Sequence, residues 1–478
     1  MISPLIPWLG MFALAAAAYP AASRLVSAPG LRLALTLGLG LGGLSQVMLW
    51  EGILGIPFTP LGIAAPYLLI MGVVLWVTMR AEKSSAAKPQ FVTFSLRLSA
   101  SLRSLRFNLL ILLIAAAVLF NGGWWLFHRD DALGIYQPQA AQLYALGGLI
   151  PLRGADSLYL AYPMHNQLLF AYTYLISGWE NEYLANFIGA LLSVGCLPAA
   201  YALGERLRRG AGGAAAFLLA TAPTFAAWAS AGYVDLPSAF YITLSAVFLL
   251  RLWDERRATD AALAGVMLGL AAWTKNAALV LIPLMGVWLA WTWLRGRIAL
   301  AHGLIALAAC ALIAAPWYMR NLAGAGFIVP DTAWTDQAQR TLRRALLFIL
   351  QPNDYGVTGW LIMVGIVWAV RRGGAGERLI LLWALPFFGV WWLFASYDPR
   401  FLLLILPLLC ALAGAPLIDL WALIGARRRF LRPILWLIAL ALTARAVWFS
   451  VEYKSELARN PFMDDAAKRI ILEREPSP

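Results

Sequence analysis

The sequence predicts an all-α fold, a polytopic transmembrane bundle of about 13–14 helical spans. Of the 478 residues, 62% are apolar and 13% are charged, which is roughly half the charged fraction of an ordinary soluble domain. The mean hydropathy is +0.73, and many apolar runs approach the ~20 residues that a helix needs to cross a bilayer. A soluble protein of this composition would expose apolar patches large enough to cause aggregation. The soluble fold classes are therefore excluded.

Hydropathy places the spans one after another along the chain. Two of them are separated only by Lys275 and Asn276, so they count either as two helices or as one broken hairpin. The spans are predicted at residues 3–22, 32–50, 62–80, 107–127, 183–203, 212–230, 235–252, 260–274, 277–294, 298–317, 357–370, 378–396, 401–423 and 433–450.

The distribution of charge predicts how these spans are oriented. Most of the 37 Lys and Arg residues lie in alternate loops, and the positive-inside rule assigns those loops to the cytoplasm. The net charge of +13 therefore reflects membrane orientation, and nucleic acid is excluded as a partner. The basic loops lie near residues 24–32, 80–106, 206–209, 251–257, 295–297, 371–378 and 427–432.

The same pattern divides the chain into units. Residues 1–80 form a three-helix transmembrane unit, 81–106 a cytoplasmic linker, and 107–450 a transmembrane core. Three segments face outward: a first loop over 128–182, a second large loop over 315–356, and a short polar tail over 451–478. Amphipathic stretches in the first loop, at 131–144 and 159–176, are predicted to be helices lying along the membrane interface.

The first candidate site is the acid pair Asp130 and Asp131, directly beyond the fourth span. Two adjacent carboxylates at a membrane boundary repel each other, so one needs a cation nearby or a raised pKa. A carboxylate held there can accept a proton from a hydroxyl or bind a divalent ion. The alternative interpretation is the solvated start of a loop. A divalent metal at the pair remains a possibility, although the sequence offers no convincing ligand set.

Two further charges stand inside apolar surroundings. Asp235 lies at the outer start of the seventh span, where it serves either as a helix cap or as a functional group. Lys275 is the single basic residue of an apolar hairpin. A charge in that environment costs ~2.5–3.5 kcal/mol on insertion scales, so it usually has a functional partner, for which a phosphate is suitable. The alternative is that Lys275 extends to the outer surface.

Arginines mark the outer face at two more places. Arg320 closes the tenth span and Arg400 opens the thirteenth, and the planar guanidinium is suited to phosphate. Arg400 can equally form a local ion pair with Asp398. Between them, residues 337–350 are predicted to form an interfacial helix over a lipid headgroup site. That helix carries Arg340, Arg343 and Arg344.

Taken in order, these segments resemble the GT-C superfamily of integral-membrane glycosyltransferases, and in particular the family of protein O-mannosyltransferases and lipid A aminoarabinose transferases. The resemblance covers about residues 107–423, and only the ordered set of motifs is specific. It rests on Asp130-Asp131-Ala132, Tyr162-Pro163-Met164, residues 232–237, Trp273-Thr274-Lys275 with 279–283, and residues 316–321 with 400–414.

The resemblance implies a GT-C-type fold and transfer of a sugar from a polyprenyl-phosphate carrier to an acceptor lipid, glycan or protein. It implies that Asp130 or Asp131 is the catalytic base, and the two alignments of the pair leave both open. Lys275, Arg320 and Arg400 match positions suited to the donor phosphate. Asp235 matches the second acidic position. Tyr136 stands where some relatives carry His, and His165 is a supporting candidate.

The resemblance also implies a multi-pass protein of the bacterial inner membrane whose active site faces the periplasm. Two departures from the family are visible: the tail is short, and the first three helices lie outside the shared core. Two other functions compete with glycosyl transfer. A transporter or flippase predicts inverted repeats and charges near the midplane, and neither is found. A non-catalytic polysaccharide-assembly subunit is opposed only weakly by the retained Asp130 and Lys275.

Overall fold

The computed structural model describes residues 5–84, 98–152, 157–330, 333–427 and 430–474. Across these ranges every regular element is helical and no strand is present. The predicted all-α class is therefore confirmed. Of the predicted linker, residues 85–97 lie outside the described residues. Helices on either side of that gap extend to Ser84 and begin at Leu98.

The N-terminal unit contains four helices, and it packs directly on the core. Gly40 shows how closely its helices approach, since a Cβ there would lie 2.3 Å from the Ala15 carbonyl oxygen. Gly42 likewise faces Leu270 of the core, with 2.6 Å between an added Cβ and that side chain. Small residues let membrane helices pack at short distance. The helices are α1 (Leu5–Ala16), α2 (Tyr19–Leu25), α3 (Pro29–Ile53) and α4 (Pro60–Ser84).

The first outer loop is helical, as predicted, but it is buried more deeply than an interfacial segment. A π-helical turn at Ala132–Tyr136 continues into α6 (Gln137–Leu146), and ten consecutive residues of α8 (His165–Ser177), from His165 onward, are buried. The expectation that the 159–176 stretch lies along the membrane surface is therefore wrong for α8, which packs inside the protein. The elements here are α5 (Leu98–Trp124), α6 (Gln137–Leu146), α7 (Ser157–Leu160) and α8 (His165–Ser177).

The middle of the core contains the most buried helices. The predicted span 212–230 is broken, because Pro223 begins a new helix after an extended residue at Ala222, and proline cannot continue a helix from the preceding turn. The elements are α9 (Glu182–Val194), α10 (Cys196–Leu207), α11 (Gly212–Thr221), α12 (Pro223–Trp228), α13 (Asp235–Glu255) and α14 (Ala258–Thr274).

From Leu281 onward the described residues contain ten α-helices. The predicted interfacial helix over 337–350 is wrong. The Thr341 side chain accepts the Arg344 N–H and starts a separate short helix there, as a capping threonine does. The elements are α15 (Leu281–Leu294), α16 (Leu300–Ala325), α17 (Leu342–Ala345), α18 (Leu347–Leu350), α19 (Pro352–Arg372), α20 (Ala375–Phe394), α21 (Leu406–Arg427), α22 (Leu431–Ser450), α23 (Lys454–Arg459) and α24 (Asp465–Arg474).

Eleven helical segments within the described residues are long and apolar enough to cross a membrane. The three other predicted spans are also helical but differ in form. The 212–230 span is divided between α11 and α12, and α14 has 17 residues. The 357–370 span lies in α19, which is kinked at Gly356 with φ 57° and ψ −144°, a conformation that favours glycine.

The polar tail folds back onto the start of the first outer loop. Lys468 Nζ donates to the Trp124 carbonyl at 2.9 Å, and Arg469 pairs with Glu182 at 2.9 Å. The Tyr183 hydroxyl donates to Asp465 at 2.6 Å. α24 thus closes over the end of α5 and the start of α9.

Candidate active site

Five charged side chains from four separate parts of the chain converge on the side of the bundle that carries the first outer loop. We call them the acid–base cluster. Asp131 precedes the π-helical turn, Asp235 begins α13, and Lys275 follows α14. Asp398 and Arg400 belong to the start of a 3₁₀ helix at Pro399–Leu404.

Asp235 and Lys275 form a buried ion pair. Their Oδ1 and Nζ atoms are 2.5 Å apart, and the two side chains are 1% and 13% exposed. Asp235 makes no capping bond to the backbone of α13, and Lys275 does not extend to the surface. Lys275 Nζ also lies 4.1 Å from the centre of the Phe401 ring, which places it in the same site.

Arg400 joins the carboxylates of the cluster. Its Nη2 lies 2.8 Å from Asp131 Oδ2 and 3.0 Å from Asp398 Oδ2, and its Nε lies 3.8 Å from Asp235 Oδ2. Burial by itself lowers the pKa of Arg400, but Asp235, Asp398 and Asp131 raise it above its ordinary value. The guanidinium therefore stays charged in the site.

Aromatic rings and a local cap fix the orientation of Arg400. Its guanidinium carbon lies 4.4 Å from the Tyr233 ring centre and 5.2 Å from that of Trp228. The Asp398 side chain accepts the Arg400 N–H at 2.8 Å, which starts the 3₁₀ helix. A guanidinium that is held in this way presents its N–H donors in one direction.

The structure distinguishes the two members of the acid pair. The Asp131 side chain is 31% exposed and faces Arg400, and its backbone N–H donates to the Tyr233 hydroxyl at 2.9 Å. The Asp130 side chain is exposed and forms no ion pair with any other described residue. Of the two members of the acid pair, only Asp131 belongs to the acid–base cluster.

Tyr136 and His165 lie behind the cluster. The Tyr136 ring is 5.8 Å from that of Tyr233, and its burial raises the pKa of its phenol. His165 is fully buried, with Nε2 at 3.0 Å from the Tyr241 hydroxyl and Nδ1 at 3.2 Å from Asn166 Oδ1. Burial lowers the pKa of His165 to about 3, so its imidazole is neutral and supports the wall of the site.

The other predicted arginines have different partners. Arg320 donates to the Ile150 carbonyl and lies 4.5 Å from the Trp317 ring centre. Arg340 donates to the Leu393 carbonyl at 2.8 Å. The geometry does not support a phosphate role for Arg320, because its contacts lie outside the cluster.

The remaining two arginines of the second outer loop also lie apart from the cluster. Arg343 is exposed, and Arg344 donates to Gln339 Oε1 at 2.9 Å. The predicted headgroup site over 337–350 therefore remains a prediction, now without the continuous helix that suggested it.

Sequence reasoning missed the residue that ties the tail to the site. Glu452 Oε2 lies 2.9 Å from His128 Nε2, and Glu452 Oε1 accepts from Arg129 Nη2 at 2.6 Å. Burial raises the pKa of Glu452, but His128 and Arg129 outweigh it and lower the value to about 2. These partners are more than three hundred positions apart, so no local spacing could have indicated the contact.

The described residues do not fit a resident metal ion. No group of three or more His, Cys, Asp or Glu side chains converges on one point within them. Where the carboxylates Asp131, Asp235 and Asp398 approach one another, Arg400 lies between them. A guanidinium is already present at the position that a cation would take, so no step is derived through a metal.

Comparisons with known proteins agree on the fold. A sequence model of the dolichyl-phosphate-mannose-protein mannosyltransferase family matches residues 162–318, less than half of the chain. No curated protein sequence matches the chain. The matched segment contains Asp235 and Lys275 but neither Asp131 nor Arg400.

Solved structures cover more of the chain. ArnT from Cupriavidus metallidurans, bound to undecaprenyl phosphate, is 21% identical with a TM-score of 0.50, over 77% of this chain and 72% of that one. The Archaeoglobus fulgidus oligosaccharyltransferase in complex with Zn and sulfate is 15% identical with a TM-score of 0.51, over 77% and 57%. A form tethered to an acceptor peptide with the NVT sequon gives 15% and 0.51, over 78% and 59%.

The chain thus spans less than two thirds of the archaeal enzyme. The family and these structural neighbours are GT-C glycosyltransferases. The chain has the GT-C fold, as the resemblance predicted.

Proposed function

We propose that this chain transfers a sugar from a polyprenyl-phosphate-linked donor to an acceptor on the extracytoplasmic face of the membrane. One observation carries the proposal: two largely buried cations, Lys275 and Arg400, lie on either side of Asp235, and Arg400 also contacts the partly exposed carboxylate of Asp131. Such a site can hold a phosphate leaving group next to a general base. The matched family and the GT-C fold support the same chemistry.

The donor phosphate binds to Arg400 and Lys275. In the free protein these cations are engaged by Asp131 and Asp235. A phosphate presents oxygens that take the same hydrogen bonds, and arginine donates two of them in parallel. When the phosphate takes Arg400 Nη2, Asp131 loses its ion-pair partner and becomes the better proton acceptor. Donor binding therefore prepares the base.

The reaction is a displacement at the anomeric carbon. The acceptor hydroxyl oxygen forms a bond to that carbon while the bond from the carbon to the phosphate oxygen breaks. The hydroxyl proton passes to the Asp131 carboxylate. The electron pair of the broken bond stays on the polyprenyl phosphate, whose growing charge Arg400 and Lys275 stabilise most strongly in the transition state.

The same proposal includes the location and the partners. In this proposal the acid–base cluster faces the periplasm from a bacterial inner membrane, and the positive-inside pattern supports that orientation. The acceptor is a lipid, a glycan or a protein. The acceptor approaches past two acidic groups, because Asp131 is partly exposed and Asp130 is exposed beside it.

The acid pair provides the decisive experiment. Purified protein is incubated with undecaprenyl-phosphate-linked sugars, and release of undecaprenyl phosphate is measured. We expect Asp131→Asn to lower the rate by about 10²–10⁴-fold, the usual contribution of a general base. Asp130→Asn is the matched control and keeps most of the activity.

Two outcomes would count against the proposal. Full activity of the Asp131→Asn variant would remove the proposed base. Movement of the intact sugar-lipid across a vesicle membrane without cleavage would identify a flippase.

A further inference from the structure

A second feature of the bundle lies apart from the acid–base cluster. Helices α5, α10, α11, α19, α21 and α22 surround a cavity of about 560 Å³. Its walls are mostly apolar, and they include Phe217, Leu218, Leu361, Trp421 and Leu442. None of the five cluster residues lines it. The cavity is therefore not part of the proposed donor-phosphate site.

Two charged side chains line the cavity. Glu205 of α10 accepts the N–H groups of Gly210 and Gly212, whereas Arg445 of α22 lines the outer end together with Gly356 and Thr221. Arg445 is half-buried, and its guanidinium carbon lies 5.3 Å from the Phe449 ring centre. Among the described residues, no carboxylate forms an ion pair with it. A cation inside the membrane is costly and ordinarily has an anionic partner. The partner of Arg445 is therefore an anionic group from outside the chain.

The kink of α19 lies against Arg445. A Cβ at Gly356 would lie 3.4 Å from Pro223 Cδ and 3.5 Å from Arg445 Nη1. The straight part of α19 begins after this kink, so its positive end also lies beside the guanidinium. The guanidinium of Arg445 and the positive end of α19 both favour a negative charge at this end of the cavity.

The length of the cavity fits a single lipid chain. Its wall on α22 runs from Leu435 to Arg445, which is about 15 Å at the rise of an α-helix. This is half of the ~30 Å hydrocarbon core, the depth of one leaflet. Ile438 lines the cavity and is 48% exposed, and Leu440 on the same helix is 51% exposed. A lipid can therefore enter from the bilayer side.

We propose that this cavity binds an anionic glycerophospholipid of the surrounding bilayer, with its phosphate on Arg445 and one acyl chain between α11 and α22. An acyl chain has the length of one leaflet, whereas a polyprenyl chain is longer than the cavity. The site is distinct from the donor site, because its cation and its walls belong to other helices.

Binding to purified protein tests the proposal. Native mass spectrometry follows the titration of detergent-solubilised protein with phosphatidylglycerol. We expect the wild type to retain one lipid molecule, and Arg445→Gln to bind it about 10–100-fold more weakly, the loss expected for a charge-assisted bond. Ala439→Phe, which fills the cavity and leaves the charge in place, should weaken binding as well.

Two controls separate the site from general lipid association. Leu440→Phe adds the same ring on the exposed side of α22 and should bind like the wild type. Phosphatidylcholine, which has no net charge, should bind wild type and Arg445→Gln equally weakly. Equal phosphatidylglycerol binding by wild type and both cavity variants would overturn the proposal. So would displacement of phosphatidylglycerol by equimolar undecaprenyl phosphate, since the cavity would then belong to the carrier.

Discussion

Arg400 shows how a single residue organises the acid–base cluster. It contacts Asp131 and Asp398 directly, and it approaches Asp235 within 3.8 Å. Three carboxylates therefore compete for one guanidinium, while Lys275 forms an ion pair with only one of them, Asp235. The incoming donor is a phosphodiester, which brings one negative charge and two free oxygens to this competition, and the phosphate released after cleavage carries more negative charge than any one carboxylate. The cluster is in this sense poised for exchange of partners.

The shape of the Arg400 side chain matters beyond its charge. Arg400→Lys keeps a positive charge but loses the planar fork and its packing on Tyr233 and Trp228. We expect a fall in transfer rate of about 10²–10³-fold, as for the loss of one preorganised donor at a developing charge. Undecaprenyl phosphate release is the measurement. Arg343→Gln, at an exposed position of the second outer loop, is the control, and an equal loss there would argue against a specific role for Arg400.

The two ends of the buried ion pair are not equivalent. Removing one partner of a buried pair costs about 3–5 kcal/mol when the remaining charge is left uncompensated. Lys275→Gln leaves Asp235 with Arg400 nearby, whereas Asp235→Asn leaves Lys275 with only the Phe401 ring among its described contacts. We therefore expect Asp235→Asn to lower the thermal midpoint more than Lys275→Gln does. The opposite order would show that Arg400 does not compensate Asp235.

Residues of this kind could be predicted because charges are rare inside the bundle. Asp235, Lys275 and Arg400 each stood out in the sequence as a costly charge at membrane level, and all three meet in the structure. The local pair of Arg400 with Asp398 is one of the alternatives that the sequence offers, and it is present. The pairs of Arg400 with Asp131 and of Lys275 with Asp235 were not predictable, because the two partners lie on different elements far apart along the chain. The aromatic rings of Trp228 and Tyr233 were also missed, since aromatic residues at a membrane boundary are common.

At the scale of elements, apolar periodicity predicted helices well and their surroundings less well. α3 and α13 were located within a few residues because long apolar runs have few alternatives. α8 was expected at the membrane surface, yet it is buried, since its polar residues His165 and Asn166 bond to other protein groups. α12 was missed because the break at Pro223 interrupts an otherwise uniform apolar run.

The tail is an element whose docking depends on pH. His128 and Arg129 lower the pKa of Glu452 to about 2 against an ordinary 4.5. A carboxyl whose folded pKa is depressed contributes stability above its unfolded pKa and loses it as the pH falls toward the folded value. The contribution of Glu452 should thus be complete near neutral pH and disappear between about pH 4.5 and pH 2.

Hydrogen exchange in α23 and α24 measures this effect. In the wild type, protection of these helices should fall as the pH drops through that window. In Glu452→Gln it should be lower at pH 7 and change less with pH. Glu456→Gln is the control, because Glu456 pairs with Arg459 of the same helix, α23. Equal protection of wild type and Glu452→Gln at pH 7 would show that the ion pairs do not hold the tail.

At the scale of the whole molecule, the charge pattern predicts which face each loop occupies. Tail and first outer loop, both assigned outward, are in contact through Glu452 and Arg469. Helix α19 carries Arg371 and Arg372 at the opposite end, in a loop assigned to the cytoplasm. The orientation predicted for single loops thus becomes a prediction about the two faces of the whole bundle.

Selective labelling of single cysteines tests this orientation directly. The three native cysteines are all buried, so they contribute little background. Phe462→Cys places a thiol in the tail at a position that is 91% exposed, and Arg371→Cys places one at the opposite face. In spheroplasts, a membrane-impermeant maleimide should label Phe462→Cys and leave Arg371→Cys unlabelled, and permeabilisation should make both reactive. Labelling of Arg371→Cys alone in intact spheroplasts would invert the molecule, and the acid–base cluster would then face the cytoplasm.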